Sequence, residues 1–538
     1  MILKNRNLLK FFKPSGLNVL TFFISIVGIF SGVLISQNNW DSMTYHFPRF
    51  LHWFQNQNLD YYYTAIGRQN ASPILPDLLF AQFFTLFSVD MFLFFPVWIS
   101  VTTSSFYIYK FTFLTTKSRK ISSMSALISL TVPSQIAFMS SSQTEPFSTL
   151  LICLLLYYAK LLDQKYSRNL FYLIILMIPI FITLKTTGLI LSIPIYLYVV
   201  FRNRNMIRKD FYKYLAILTL TVVPAIPFLG RVWKSGKEIV EGVFISKISL
   251  EGIFANILRI LINNLQTPSA YINNYLQQGY YSISDIVGFD PNPPGYGAYG
   301  DFYLSTSLHA DLTGNPIHMF LLIASAIGLW VRKKHRLLIT LVFTQFILLG
   351  SFIGWQPWGN RFTSSILVVS STFVGIWVSE RLKTVRTIIL ILLLLYSCFW
   401  LLFNPSRSLL DPKPLVSIAR QLGMNDMELN KVRHDLVFSR EKQYFSVNPA
   451  VEGSYFAAIE KVKTSKAERL YIKIGGDDFE YPIWALTDFE YQVKHFNESD
   501  IQELNDGVAV LFCTIDCSGY RLEPIYSDKY VSLWQGRG

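Results

Sequence analysis

Charge is what this chain has least of. Only 15% of its 538 residues are Asp, Glu, Lys or Arg, while 51% are hydrophobic and 16% aromatic. A soluble protein of this length carries about a quarter charged residues, so a soluble globular class is excluded. Internal repeats and low-complexity segments are also lacking, which sets aside repeat arrays. Cysteine is rare. Cys153 and Cys398 fall in apolar runs and read as fillers, whereas Cys513 and Cys517 near the end could form a disulfide or remain free thiols. Neither pair has the further ligands of a structural zinc motif. Acidic residues number 35 against 48 basic ones, a formal charge of +13. The basic residues sit mostly in short loops between apolar runs, so no nucleic-acid partner is expected.

The chain does have a succession of apolar runs of about 17 to 25 residues, long enough to cross a bilayer core. Basic clusters punctuate them at Lys4 to Lys13, Lys117 to Lys120, Lys160 to Arg168, Arg202 to Lys213, Arg332 to Arg336 and Arg381 to Arg386. Placing these clusters on the cytoplasmic side predicts spans at roughly 17–36, 88–112, 121–140, 147–163, 169–184, 187–201, 214–230, 316–331, 337–353, 363–379 and 387–403. The N-terminus is then cytoplasmic and the C-terminus outside. The first run is long and reads as a signal anchor without a cleavage site. The spans 169–184 and 187–201 require a reversal within a few residues.

The expected fold is a polytopic α-helical membrane protein of about eleven spans. Its transmembrane domain covers 1–403, with outer loops at about 37–76 and 231–315, and a small extracytoplasmic α/β domain covers 404–538. In the tail, LVF at 436–438, RLYIKI at 469–474, GVAVLFC at 507–513 and YVSLW at 530–534 read as strands, and 448–463 reads as a helix. This alternation is the basis for the α/β assignment.

The topology rests on basic loops alone, so it tests the polar motifs independently. NWDSMTYHFPR at 39–49 places Asp41, Tyr45, His46 and Arg49 in the first outer loop. SSQTEP carries Glu145 to the second outer turn, and LKTTG carries Lys185 to the third. LHADLTGNP ends the fourth loop with His309, Asp311, Gly314 and Asn315, and GWQPWGNRF brings Trp355, Trp358 and Arg361 to the fifth. Inner loops hold plain basic runs, so one membrane face carries the chemistry.

Simpler roles exist for each residue. Asp41 alone could be a solvated helix-end residue, Lys185 could snorkel, and the two tryptophans could be interface anchors. Glu145 and Arg361 are harder to dismiss. A carboxylate drawn toward the bilayer centre costs roughly 2.5–3.5 kcal/mol, and an outward Arg at a span start opposes the positive-inside bias. Taken together, the set suits one reaction. A carboxylate can take a proton from an acceptor hydroxyl, worth roughly 10²–10⁴ in rate. A Lys and an Arg can bind a phosphate and stabilise it as it leaves. Apolar spans beside them can hold a lipid tail.

Asp41 to His46, with HWFQNQN at 52–58 and Arg68-Gln69 downstream, resembles the first outer loop of bacterial GT-C superfamily glycosyltransferases, the protein O-mannosyltransferase-like membrane group. The resemblance continues in order through SSQTEP, LKTTG, ADLTGNP at 310–316, WQPWGNRF at 355–362 and EYPIW at 480–484. It implies inverting transfer from a polyprenyl-phosphate sugar to an acceptor outside a bacterial inner membrane. Asp41 maps onto the residue that acts as base or orients the acceptor, and Glu145 stands where a second Asp is usual. Lys185 and Arg361 resemble donor-phosphate ligands, with Tyr45, His46 and Arg68 as acceptor or loop support. Ala310 replaces one of two consecutive acids, which lowers the weight of His309 and Asp311. No metal is assigned. Asp41, Glu145, His46 and His309 offer donor atoms for a divalent cation, but Lys185 and Arg361 can neutralise a phosphate without one.

The implied partners are a polyprenyl-phosphate sugar, membrane lipids and a glycan, lipid or protein acceptor. Two other classes make different demands on the sequence. An O-antigen-ligase-like transferase or polymerase would rely on basic residues of a large outer loop. A lipid-linked glycan flippase would carry ionisable residues at mid-span and detectable halves, and neither is present. FDPNPPGYGAYGDFY at 289–303 could close over substrate or merely connect. GGDDFEYPIW at 475–484 reads as a βα turn with Glu480 at an acceptor edge or a helix cap.

Overall fold

The computed structural model describes residues 16–230, 244–245, 247–297, 299–465, 467–506 and 508–536. The basic cluster at 4–13 and the beginning of the long loop, 231–243, lie outside the described residues. Among the described residues, seven helices are long and apolar enough to cross a membrane: Gly16–Leu34, Asp90–Thr116, Glu145–Gln164, Arg204–Gly230, Ala310–Val331, Asn360–Ser379 and Lys383–Leu402. Each falls on an expected span. Arg168–Leu184, Thr186–Arg202 and Arg336–Phe352 are shorter apolar helices on three more. A fourth short apolar helix, Leu75–Phe87, begins at the end of the first outer loop, where no span was expected.

The expected span 121–140 is two helices, Arg119–Leu130 and Pro133–Phe138. Pro133 lacks an N–H, and its ring disfavours helix at Val132, which is extended at φ −61° and ψ 116°. The helix breaks there.

Asn360–Ser379 forms the middle of the bundle and is buried along nearly its whole length. Its sequence explains how a helix can be buried on every side. Ser, Thr and Gly let neighbours approach closely, and Gly375 lies against Ser125 with no room for a methyl group. The hydroxyls of Ser370 and Ser371 bond back to the Leu367 carbonyl at 2.8 and 3.0 Å, so they bury no unpaired donor. Peripheral helices do the opposite. Phe22, Phe23 and Phe30 on the first helix are more than half exposed, as lipid-facing side chains are.

The tail folds onto the end of the bundle that carries the polar turns. It holds one five-stranded sheet: β1 Arg469–Lys473, β2 Gln492–His495, β3 Ala509–Cys513, β4 Glu523–Ser527 and β5 Ser532–Gln535, in the order β2-β1-β3-β5-β4. β1 pairs in parallel with β2 and β3, with Leu470 opposite Val493 and Val510. β5 pairs antiparallel with β3 and β4. β3 is buried at every position, the pattern of a central strand covered on both faces. Helix Glu452–Thr464 falls where 448–463 was expected.

Residues 436–438 are not a strand. A 3₁₀ turn at Asp435–Val437 takes the first two of them, Phe438 follows as its extended cap, and Ser446 donates to the Asp435 carboxyl at 2.5 Å. β2 and β4 were not anticipated, being short and interrupted by polar residues or proline. Cys513 and Cys517 are disulfide-bonded.

Candidate functional site

A cavity of about 1130 Å³ lies between the polar turns of the bundle and the tail domain. Asp41, Tyr45, His46, Arg68, Lys185, His309, Asp311 and Arg361 all line it. Eight of the nine residues expected from sequence therefore share one space, although they come from segments far apart along the chain.

Asp41 precedes a single π-helical turn, Ser42–His46, which runs into helix Phe47–Asn56. The segment is held from behind, where Asn39 Nδ2 donates to Ser142 Oγ at 2.6 Å and the Ser42 and Ser142 hydroxyls lie 2.7 Å apart. Pro48 has no N–H to give to the preceding turn, and the helical chain widens to the π-turn just before it. The wider turn directs Asp41, Tyr45 and His46 toward the cavity, an insertion frequent at functional sites.

Lys185 is the one residue between two helices, Arg168–Leu184 and Thr186–Arg202. It is extended, at φ −170° and ψ 123°, so the required reversal takes a single residue. Its Nζ donates to Glu145 Oε1 at 2.6 Å and to Thr144 Oγ1 at 2.9 Å. This is a buried ion pair and not a snorkelling lysine. Gly188 permits it, because a Cβ there would stand 2.6 Å from Ser148 Oγ on the helix that carries Glu145.

Arg361 lies between two carboxylates. Its Nη1 donates to Asp41 Oδ2 at 2.9 Å, and its Nε is 3.2 Å from Glu145 Oε1. Glu145 itself is buried behind the two cations and does not line the cavity. Its Oε2 has no partner among the described residues. Burial would raise the Asp41 carboxyl, but Arg361, Arg68, His46 and Lys185 outweigh that and hold it well below the usual carboxylate range. Asp41 is therefore ionised at neutral pH. Burial raises Tyr45, whose ring lies against the Arg68 guanidinium at 4.9 Å.

Arg68 is anchored to the tail through Asp477 and the Gly476 carbonyl. His46 Nδ1 lies 2.5 Å from Asp77, whose other oxygen accepts from Arg49 at 2.9 Å. Asp311 accepts from Gln143 Nε2 at 2.8 Å, and its backbone N–H donates to His309 Nδ1 at 3.2 Å. Gly314 packs directly on the Gln266 carbonyl, a position that excludes any side chain. Trp355 is fully packed against Phe302 and Tyr303, not at an interface, while Trp358 lines the cavity beside Tyr299.

Asp77, Asp477, Gln143 and Lys431 belong to this surround and were not identified from sequence. Asp77 and Asp477 act through His46 and Arg68, and no spacing rule links residues that distant. Glu480 is neither an open edge nor a capping group. It is fully buried, and its carboxylate faces His52, His495, Gln69 and Trp484.

Residues 71–230 match the family model described as dolichyl-phosphate-mannose-protein mannosyltransferase. No curated protein matches the chain in sequence. Among solved structures, ArnT from Cupriavidus metallidurans bound to undecaprenyl phosphate is similar over 97% of this chain and 98% of its own, at 10% identity and a TM-score of 0.53. Its apo form gives 11% identity, 96% and 97% coverage and a TM-score of 0.49. The apo oligosaccharyltransferase from Archaeoglobus fulgidus gives 12% identity, 91% and 66% coverage and a TM-score of 0.38. The end-to-end similarity to the first of these establishes the GT-C membrane fold that the sequence motifs resemble.

Proposed function

We propose that this chain is an integral-membrane glycosyltransferase that moves a sugar from a polyprenyl-phosphate donor to an extracytoplasmic acceptor with inversion. One observation carries the reading: Asp41, Lys185 and Arg361, from three separate turns, meet at one cavity wall, with Glu145 from a fourth turn paired to both cations behind it. The similar ArnT structure holds undecaprenyl phosphate, which supports a polyprenyl-phosphate ligand.

In this mechanism Lys185 and Arg361 bind the donor phosphate, the arginine as a planar fork and the lysine as a point charge. Asp41 accepts the hydrogen bond of the acceptor hydroxyl. As the acceptor oxygen bonds to the anomeric carbon from the opposite face, the carbon–oxygen bond to phosphate breaks. Polyprenyl phosphate leaves with that electron pair, and Asp41 takes the hydroxyl proton. A phosphate that engages Arg361 withdraws neutralisation from Asp41 and makes it a stronger base when one is needed. Glu145 positions the two cations, and Tyr45, His46, Arg68, His309 and Asp311 shape the acceptor side. No step requires a metal.

The site and the tail domain, 404–538, are placed outside a bacterial inner membrane, with domain 1–403 spanning it and the N-terminus cytoplasmic. The acceptor is a glycan, lipid or protein. The test compares wild type and Asp41→Asn in lipid nanodiscs supplied with polyprenyl-phosphate sugars and a cell-envelope extract. Transfer with release of polyprenyl phosphate, lost in the folded variant, is expected. Equal turnover in both would remove Asp41 from the reaction, and no turnover with any donor would overturn the assignment.

A further inference from the structure

Away from the cavity, three buried side chains converge between the first outer segment and the tail domain. His52 comes from helix Phe47–Asn56, Glu480 from the turn after β1, and His495 from the end of β2. One ligand atom from each lies within 4.8 Å of the other two. His52 Nε2 is 2.7 Å from Glu480 Oε1, and His495 Nε2 is 3.0 Å from Glu480 Oε2. We propose that His52, Glu480 and His495 bind one divalent transition-metal ion, with zinc as the fitting metal, and that the ion ties the outer segment to the tail domain.

The donor chemistry supports this. Two imidazoles and one carboxylate are a common zinc ligand set, leaving a further position for water or another oxygen. Zn–N and Zn–O bonds of about 2.0–2.1 Å place tetrahedral ligand atoms roughly 3.3 Å apart, so each histidine needs to draw back slightly from Glu480 while the three ligand atoms, now within 4.8 Å of one another, close around the ion. The surroundings hold the ligands as an outer shell does. Gln69 Nε2 and Trp484 Nε1 donate to the two Glu480 oxygens at 2.5 and 3.1 Å, and the Tyr62 ring lies 4.5 Å from His52.

The proton count points the same way. Thr64 Oγ1 gives its hydrogen to Gln69 Oε1 at 2.9 Å, yet it also lies 3.1 Å from His495 Nε2. Two acceptor oxygens, Thr64 Oγ1 and Glu480 Oε2, therefore converge on one imidazole nitrogen. An Nε2–H shared between them or a bound cation satisfies both, and with the cation Thr64 is a candidate fourth ligand. The Ala65 N–H donates to His495 Nδ1 at 3.4 Å, a long bond that leaves Nε2 facing Glu480. A second cavity of about 300 Å³ is lined by both histidines and gives an ion a route in.

The test uses the full chain in nanodiscs, stripped with a chelator and titrated with Zn²⁺ or Co²⁺ alone. About one equivalent per chain is expected, with the visible spectrum of four-coordinate Co²⁺. His52→Ala and His495→Ala should each weaken binding at least tenfold. Wild type that retains less than a tenth of an equivalent overturns the proposal, as does unchanged binding in both variants. Should the variants not fold, zinc X-ray absorption on wild type decides. Two imidazoles with oxygen support the site, and sulfur or all-oxygen coordination overturns it. Metal content is read without sugar transfer, so this inference stands or falls apart from the glycosyltransferase reading.

Discussion

Arg361 donates to Asp41 at 2.9 Å across 320 positions of sequence, and the same guanidinium faces Glu145 at 3.2 Å. One cation thus holds two carboxylates together, and Lys185 completes the cluster from the other side of Glu145. A buried group of two acids and two bases is close to neutral, which makes it tolerable in a bundle with few other charges. It also means that each member sets the state of the others.

Asp41→Asn keeps the side chain's shape and removes its basicity. Transfer should fall at least a hundredfold, within the range that general-base groups contribute, and thermal stability should fall as well, because Arg361 loses a carboxylate partner. Steady-state rates together with an unfolding curve separate the two effects. A variant with wild-type rates would exclude Asp41 from proton transfer.

Arg361→Lys retains charge but loses the fork. The donor KM should rise about tenfold, since a bidentate site is not preserved by lysine. Arg361→Ala should do more. It leaves Asp41 and Glu145 without their shared cation, so both kcat and stability fall. Titrating donor with each variant gives the comparison, and an unchanged donor KM in both would place the phosphate elsewhere.

Glu145→Gln tests a residue that does not line the cavity. Without its charge, Lys185 and Arg361 lose the anchor that holds them 2.6 and 3.2 Å from one oxygen. Donor KM is expected to rise several-fold, with a smaller effect on kcat than that of Asp41→Asn. A kcat loss as large as that of Asp41→Asn, at unchanged KM, would mean that Glu145 takes part in the chemistry directly.

Much of this site was readable because motif and topology agreed. Basic loops fixed which turns share a face, and the odd polar residues then fell on that face. Lys185 was visible as an outward lysine at a tight reversal, though not as the only residue between two helices. Three things were not legible. Pro133 lies in an apolar run, and only the break at Val132 shows what it does. Asp77 and Asp477 act through His46 and Arg68, contacts with no periodic signature. The His52, Glu480 and His495 group joins residues 428 and 15 positions apart, which only the docking of the tail brings together.

Gly188→Val probes the packing behind Lys185. A Cβ already comes within 2.6 Å of Ser148 Oγ, and two further methyls would push helix Thr186–Arg202 away from the helix that carries Glu145. Overpacking of this kind costs about 1–3 kcal/mol. The variant should unfold at lower temperature and bind donor less well than wild type. Loss of stability with unchanged donor KM would show that Lys185 does not depend on this contact.

Asp435 gives a pH signature of its own. The carboxyl is buried in the tail near Ser446, and burial raises it from 3.8 to about 7, against the pull of Ser446 and Arg433. A raised carboxyl contributes stability that is full below its unfolded value and lost as pH rises through its folded value. Between about pH 4 and 7 the unfolded chain has released this proton and the folded chain has not, so stability falls across that window and levels off above it. A shift of that size corresponds to up to ~4 kcal/mol. Asp435→Asn has no proton to lose. Its stability relative to wild type should therefore improve between pH 5 and pH 7.5, as read by thermal unfolding of both proteins in the same buffers. Parallel pH profiles would show that Asp435 is ionised throughout and that its neighbours, Arg433 foremost, carry its charge.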